Sequence, residues 1–415
     1  MDAKMAWRNI WRNPRRSILT ILAVAFATIL LVFMLSWQFG SYETMIRSAV
    51  RVHTGHLQVQ EKTYNNKKTM RKVVADPDAV ARQIASLDGI AAHAYRANAF
   101  ALVSSESNGR PHGRTYGAAV IGIQPGAEAR VSTIQHLVRD GAYLHDGDAN
   151  AALVGKLLAE NLHAGPGDEL VILGQGRDGS VAATAVTIKG IFSSGEDQFD
   201  RNTLLVPLPF FQDVFAMRKA AHEVVILADS LSDVEPIKHG LSRELFVAGF
   251  TSLAVLDWQE LMPGLVQAIK MDLTGGLIMY VILIIVVAFS IFNTFLMAMF
   301  ERTREFGVLM AIGTTPGRLA RLLVFESISM TTVGITAGIL VGGAITLYFQ
   351  QHGIVIEGAS ELLSQYGMPE RMCPKLSWLS VSIGAGIVLV ITGLTALYPA
   401  WKIRRLQPVE AMTAV

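Results

Sequence analysis

Cysteine is almost absent from this chain. Cys373 stands alone, so no internal disulfide can form and no metal site can be built from cysteines. A phosphate-binding GxxxxGK[ST] loop is missing as well. Gly174-Gln175-Gly176 sits in a tight turn, and Gly313–Gly317 lacks the lysine. The chain therefore cannot hydrolyse ATP alone. A net charge of +2 gives no case for nucleic-acid binding. Most telling is where ionisable residues are lacking. No Asp, Glu, Lys, Arg or His occurs in Ile18–Trp37, Leu277–Phe300, Ser327–Phe349 or Ser377–Ala400. Ionisable groups inside a membrane usually mark ion, proton or charged-substrate pathways. Their absence argues against an ion-coupled transporter or a polar channel.

What the chain does have is four apolar runs, each long enough for a membrane helix of roughly 20 residues. The N-terminal run is longer than the core of a secretory signal, so it reads as an uncleaved span. The expected order is an interfacial helix at 1–16, a first span at 17–39, a large polar domain at 40–272 and a second span at 273–300. A coupling segment at 301–322 follows, then a third span at 323–349, an outer loop at 350–375, a fourth span at 376–400 and a tail at 401–415. Arg and Lys in short loops mark the cytoplasmic side. They are enriched at the N-terminus, at 301–322 and in the tail, which places both termini inside. Trp7 and Trp11 with Arg8 and Arg12 suit a helix lying in the headgroup layer, in contact with membrane lipids. Gly334, Gly338 and Gly342 recur every four residues and form a packing face. Asn293 is the main polar residue within a span, read as an interhelical hydrogen-bonding group.

Residues 40–272 read as a mixed α+β domain with two subdomains. Asn98–Ser104 and Tyr116–Gln124 flank a turn-rich segment and predict a hairpin. Strands are expected at Glu169–Leu173, Val181–Phe192, Asn202–Pro207, His222–Ala228 and Ser252–Leu256, with a helix at Asp233–Ala248. Trp258–Lys270 reads as a helical stalk. His53 and His56 lie in an extended stretch and point to opposite faces, a poor arrangement for a metal. Glu196, Asp197 and Asp200 form an acidic cluster, whose simplest reading is a solvated turn rather than a catalytic pair.

Several stretches carry a family resemblance. Ala6–Ile10 with Asn13-Pro14-Arg15-Arg16, Ala152–Leu173, Glu301–Gly313 and Tyr398–Met412 occur in order on one topology. Together they resemble the MacB/LolE/FtsX-like permeases of ABC transporters, the mechanotransmission type. Ile188–Leu208 is similar to the lipoprotein-releasing LolC/LolE branch. The resemblance implies four transmembrane helices plus a MacB-like periplasmic α+β core, in a bacterial inner membrane. It implies a non-enzymatic subunit that binds no cofactor, ATP and Mg being held by two copies of a cytoplasmic ABC ATPase. It also implies a second permease, as homodimer or heterodimer, and a lipoprotein or other amphiphilic substrate. The ATPase-coupling residues would be Glu301, Arg302, Arg304, Glu305, Phe306, Gly307, Val308, Leu309 and Gly313, with Phe306, Val308 and Leu309 packing into a groove on the ATPase. The Leu173–Val181 hairpin is shorter than the hook by which LolC-like members recruit a periplasmic carrier. A carrier or adaptor is thus an open partner. Efflux in a tripartite system and FtsX-like control of a peptidoglycan hydrolase stand as alternative functions.

Overall fold

A computed structural model describes residues 14–105, 114–355, 358 and 371–404. The interfacial residues Trp7, Arg8, Trp11 and Arg12 and the end of the tail lie outside the described residues, as does the tip of the predicted hairpin. In chain order the chain forms α1 (Pro14–Ala49), a π turn (Val50–Thr54), β1 (Leu57–Glu61), α2 (Pro77–Ile84), β2 (Ile90–Ser105) and β3 (Thr115–Ile123). Next come α3 (Pro125–Val131), β4 (Val138–Gly141), β5 (Ala151–Gly155), α4 (Lys156–Leu162), β6 (Glu169–Gln175) and β7 (Val181–Phe192). Then follow α5 (Asp197–Asn202), β8 (Thr203–Pro207), α6 (Leu208–Val214), β9 (Glu223–Ala228), α7 (Val234–Val247) and β10 (Leu253–Asp257). The chain ends on α8 (Trp258–Leu261), α9 (Pro263–Ala311), α10 (Pro316–His352), β11 (Ile354–Val355), β12 (Arg371–Met372) and α11 (Trp378–Arg404).

Two compact units result. One comprises Met1–Thr44, Ala268–Val355 and Arg371–Val415, the other Met45–Gln267 and Ile356–Glu370. The first is helical, and α1, α9, α10 and α11 are each long and apolar enough to cross a membrane. Its packing follows from small residues. A Cβ added to Gly334 would lie 2.8 Å from the Val24 side chain, and one on Gly338 would lie 2.5 Å from Thr28 Cβ. The glycine stripe of α10 therefore lets the backbone of α1 approach. Val24, Ala27 and Leu31 of α1 meet Ile291 and Phe295 of α9, Met330 of α10 and Val388 of α11 in one apolar core. Hydroxyls inside the helices bond to carbonyls one turn back, as Thr28 does to Val24 and Thr346 to Gly342. That satisfies them without water. At one end of the bundle, Tyr42 donates to Asp272 and accepts from Gln38, which in turn accepts from Tyr280. This chain of bonds ties α1 to α9.

The expected boundary between a second span and a separate coupling segment is not found. α9 runs unbroken from Pro263 to Ala311, so residues 301–311 extend the helix by about three turns. The charges of 301–305 did not end it, because Glu and Arg are good helix formers.

The second unit is built on a 10-stranded mixed sheet in the order β10-β1-β9-β2-β3-β8-β5-β7-β4, with β6 pairing β2 and β7. β2 is 16 residues long and belongs to both halves that the sequence suggests. Its first part pairs with β9 and its second with β3, the latter in the register Ser104↔Thr115. β3–β8 and β5–β7 are parallel, and the remaining pairs are antiparallel. β1 pairs on both edges and is buried along almost its whole length, Gln58 and Gln60 together with Leu57 and Val59. The main core joins Leu57, Val59, Val120, Val154, Ile172 and Val224 to Leu241 of α7.

Candidate coupling site

The end of α9 is fixed by glycine. Gly313 has φ +103°, a conformation that other residues rarely adopt. Its N–H bonds to the Met310 carbonyl at 3.0 Å, and the Thr314 N–H bonds to that of Leu309 at 3.0 Å. This is the double bond pattern of a Schellman cap. Pro316 then opens α10, where its missing N–H costs nothing. The predicted hinge is thus a tight turn of residues 312–315 between two long helices.

Within this helical hairpin the predicted residues divide by face. Phe306 is 2% exposed and packs with Met299, Met310, Leu319, Leu323 and Ile403. The expectation that Phe306 inserts into a partner's groove is corrected: its ring fills the core between α9, α10 and α11. Gly307 is buried beside it. Arg302 is buried too, bonding Glu326 of α10 at 2.8 Å and reaching Glu305 at 3.4 Å. Its guanidinium also lies 5.5 Å from the Phe306 ring centroid. Glu326 is a buried counter-charge. Arg302 and Glu326 therefore clamp α9 to α10.

The remaining residues face outward. Glu301, Arg304, Glu305, Val308, Leu309 and Gly313 are exposed. So is Ile312, at 78%, a residue that the sequence reading passed over. Its signal was an isoleucine directly before the glycine of a turn, a place where a side chain is easily left uncovered. Together they form a surface of mixed charge flanked by apolar side chains, the composition of a protein-docking patch.

Asn293 points outward from α9 and makes no side-chain hydrogen bond among the described residues. Around it, Ile282, Ile285, Val286 and Phe289 are also exposed. In the second unit, the acidic cluster is not a solvated turn throughout. Asp200 is 3% exposed and accepts from the Ser194 N–H (2.9 Å) and Oγ (2.6 Å). It is a buried staple for the turn before α5. His53 lies against Arg96, whose Nη1 is 3.2 Å from His53 Nδ1 and bonds its carbonyl. His56 Nδ1 accepts from the Ala228 N–H. Among the described residues no cluster of three or more His, Cys, Asp or Glu could hold a metal.

Two family models match this chain. The family model for the MacB-like periplasmic core domain matches residues 17–243, and that for the FtsX-like permease C-terminal matches residues 277–408. LolC, the lipoprotein-releasing system transmembrane protein of Xylella fastidiosa (strain 9a5c), is 24% identical over 315 residues, covering 71% of this chain and 72% of LolC. The macrolide export ATP-binding/permease protein MacB of Rhodospirillum rubrum is 26% identical over 422 residues, covering 99% of this chain but 60% of that longer protein. The periplasmic region of MacB from Actinobacillus actinomycetemcomitans aligns with a TM-score of 0.37 at 10% identity, covering 54% of this chain and 95% of that structure. A membrane-helix unit carrying a MacB-like core defines an ABC transporter permease. This chain belongs to the MacB/LolC/FtsX-type permease family.

Proposed function

We propose that this permease couples ATP hydrolysis by a separate cytoplasmic ABC ATPase, two copies per complex, to a shape change of its large domain in the periplasm. The work done there is extraction of a lipoprotein, or a similar amphiphile, from the inner membrane. The ATP and Mg belong to the ATPase. The carrying observation is the exposed patch on the α9 extension, Arg304, Glu305, Val308, Leu309 and Ile312, held rigid by the Arg302–Glu326 clamp. A docking surface needs such a fixed backbone with outward side chains. The unpaired Asn293 amide on the outer face of α9 supports a second permease. An amide facing hydrocarbon is costly, and a neighbouring helix could satisfy it. The lipoprotein assignment leans on the LolC relatives, while the alignment with MacB over 99% of the chain favours efflux as the second reading.

Two variants test the coupling. Glu305→Lys and Ile312→Asp are expected to insert normally and to lose stimulation of the partner's ATPase, because both side chains are exposed and Arg302 keeps its shorter, buried bond to Glu326 when Glu305 is replaced. Unchanged coupling in both would remove the docking assignment. Purification from native membranes without ATP, followed by mass spectrometry, separates the cargo readings. Acylated lipoproteins beside the ATPase support extraction, and a periplasmic adaptor without lipoproteins supports efflux.

A further inference from the structure

The second unit contains a cavity of about 1200 Å³ that neither the coupling patch nor the transport reading uses. Its floor is one face of the sheet. In the β2–β3 register Asn98 lies opposite Ile121 and Phe100 opposite Ala119, and Ala119 in turn lies opposite Thr203 of β8. These residues all line the cavity. Phe100 is 75% exposed there, and its ring lies over Gly117, where an added Cβ would come within 2.7 Å. An exposed phenyl ring on a recessed floor is a surface prepared for an apolar ligand.

The walls add charge of one sign. Lys68, Arg71 and Arg177 line the cavity, against Glu196 as its one carboxylate among the described residues. Lys68 is 3.8 Å from Glu223. Neither Arg71 nor Arg177 has a side-chain hydrogen bond or ion pair among the described residues. Arg177 is presented by the β6–β7 turn, where the Gly176 N–H bonds to the Ser180 carbonyl. Its neighbour Asp178 is engaged by the Ser180 N–H and hydroxyl and does not neutralise it. Desolvation, and then Asp200, push the Glu196 pKa above its ordinary value.

We propose that this cavity binds an anionic amphiphile, with an acyl-type chain on the Phe100–Ile121 floor and a phosphate or carboxylate held by Arg71 and Arg177. Guanidinium groups bind either oxyanion through paired N–H bonds, and they do so with more geometric selectivity than lysine. A purely apolar ligand would leave Arg71 and Arg177 without a role, and a free anion would leave Phe100 without one. For its place in transport the site rests on the reading of an amphiphile-handling permease, but its occupancy needs neither ATP nor a partner.

The test uses the full chain in phosphatidylcholine nanodiscs, without ATPase. A photoactivatable lysophosphatidate is the probe, with the matching fatty acid, the matching neutral monoacylglycerol and inorganic phosphate as comparisons. Cross-linked peptides are mapped by mass spectrometry. Lysophosphatidate is expected to label peptides containing Phe100 or Ile121, with capture about tenfold weaker in the Arg71→Gln/Arg177→Gln variant, the order lost with charge-assisted bonds. Arg71→Lys/Arg177→Lys should regain part of it. Labelling by the fatty acid equal to that by lysophosphatidate would identify the headgroup as any oxyanion, and weaker labelling would identify it as a phosphate. Both support the site. Three results would overturn it: equal labelling by the monoacylglycerol, labels confined to the membrane helices, or full displacement by inorganic phosphate alone. Coupling variants at Glu305 leave this labelling unchanged, so failure of the transport reading and failure of the cavity are told apart.

Discussion

Arg96 is the largest side chain fully enclosed in the structure, at 1% exposure. A guanidinium in that position is tolerated only with full pairing. Glu128, itself at 0%, supplies it with two bonds of 2.9 and 2.6 Å, and the carbonyl of His53 takes a third. Truncating Arg96 to Ala should therefore cost about 3–5 kcal/mol by leaving Glu128 charged and alone. The double change Arg96→Met/Glu128→Leu should recover most of that loss, read as hydrogen-exchange protection of β2 and β9 in the full chain. His222 gives a second prediction. It is fully buried, stacks 5.2 Å from Tyr64, and its Nδ1 accepts the Asn98 N–H. Burial pushes its pKa down to about 4. The unfolded chain thus binds a proton that the folded one refuses. Stability is whole above about pH 6.5 and falls as the pH drops towards 4, by up to about 3 kcal/mol from this group. His222→Asn should flatten that slope between pH 6.5 and 4, and an unchanged slope would mean that other groups set it. Neither site was legible in the sequence. Arg96 and Glu128 are 32 residues apart, and no periodicity joins them.

The glycine stripe of α10 was legible, because a four-residue repeat of small residues has one physical use in an apolar helix. The partner was not legible, since any of the other apolar helices offered a surface. The structure supplies α1, whose Val24, Ala25 and Thr28 fill the space that the glycines leave. Gly338→Leu should force α1 and α10 apart and cost about 1–3 kcal/mol or more. Gly386 of α11 has nothing within 4 Å of an added Cβ, so Gly386→Ala is the matched control. Thermal aggregation of the detergent-solubilised chain reads both, and equal midpoints for the two would deny the close packing. The helices α2, α3 and α6 escaped the sequence reading. Each spans only two turns and depends on burial against the sheet rather than on intrinsic propensity. Phe306 shows the same limit at the candidate coupling site. Its apolar character fitted a docking residue as well as a core residue, and only the positions of Leu319 and Ile403 decide between them.

At the scale of the whole chain, four apolar runs announced four helices because bilayer thickness sets their length. Their true ends were less visible. The stalk expected at Trp258–Lys270 is not an element of its own: α8 ends at Leu261, and from Pro263 onward those residues belong to α9. Pro263 stands at its first position, where proline is well tolerated. That continuity bears on mechanism. If the coupling patch at one end of α9 drives motion in the large domain, the unbroken α9 offers the force one continuous helix to follow, and an interior break should weaken its transmission. Thr274 is a suitable place. It is exposed, its Oγ1 bonds only to the Lys270 carbonyl one turn back, and it lies far along the chain from Glu305. Thr274→Pro would remove one backbone bond and clash with that same carbonyl, costing about 3 kcal/mol locally and kinking the helix. The patch at 301–312 would be untouched, so ATPase binding should persist. Hydrolysis should continue in the variant complex while release of cargo falls. Thr274→Ala, which keeps the helix, should behave as the unmodified chain. Binding, ATP turnover and cargo release measured together in reconstituted vesicles check the argument. Cargo release at the normal rate in Thr274→Pro would mean that motion reaches the domain by a route other than α9.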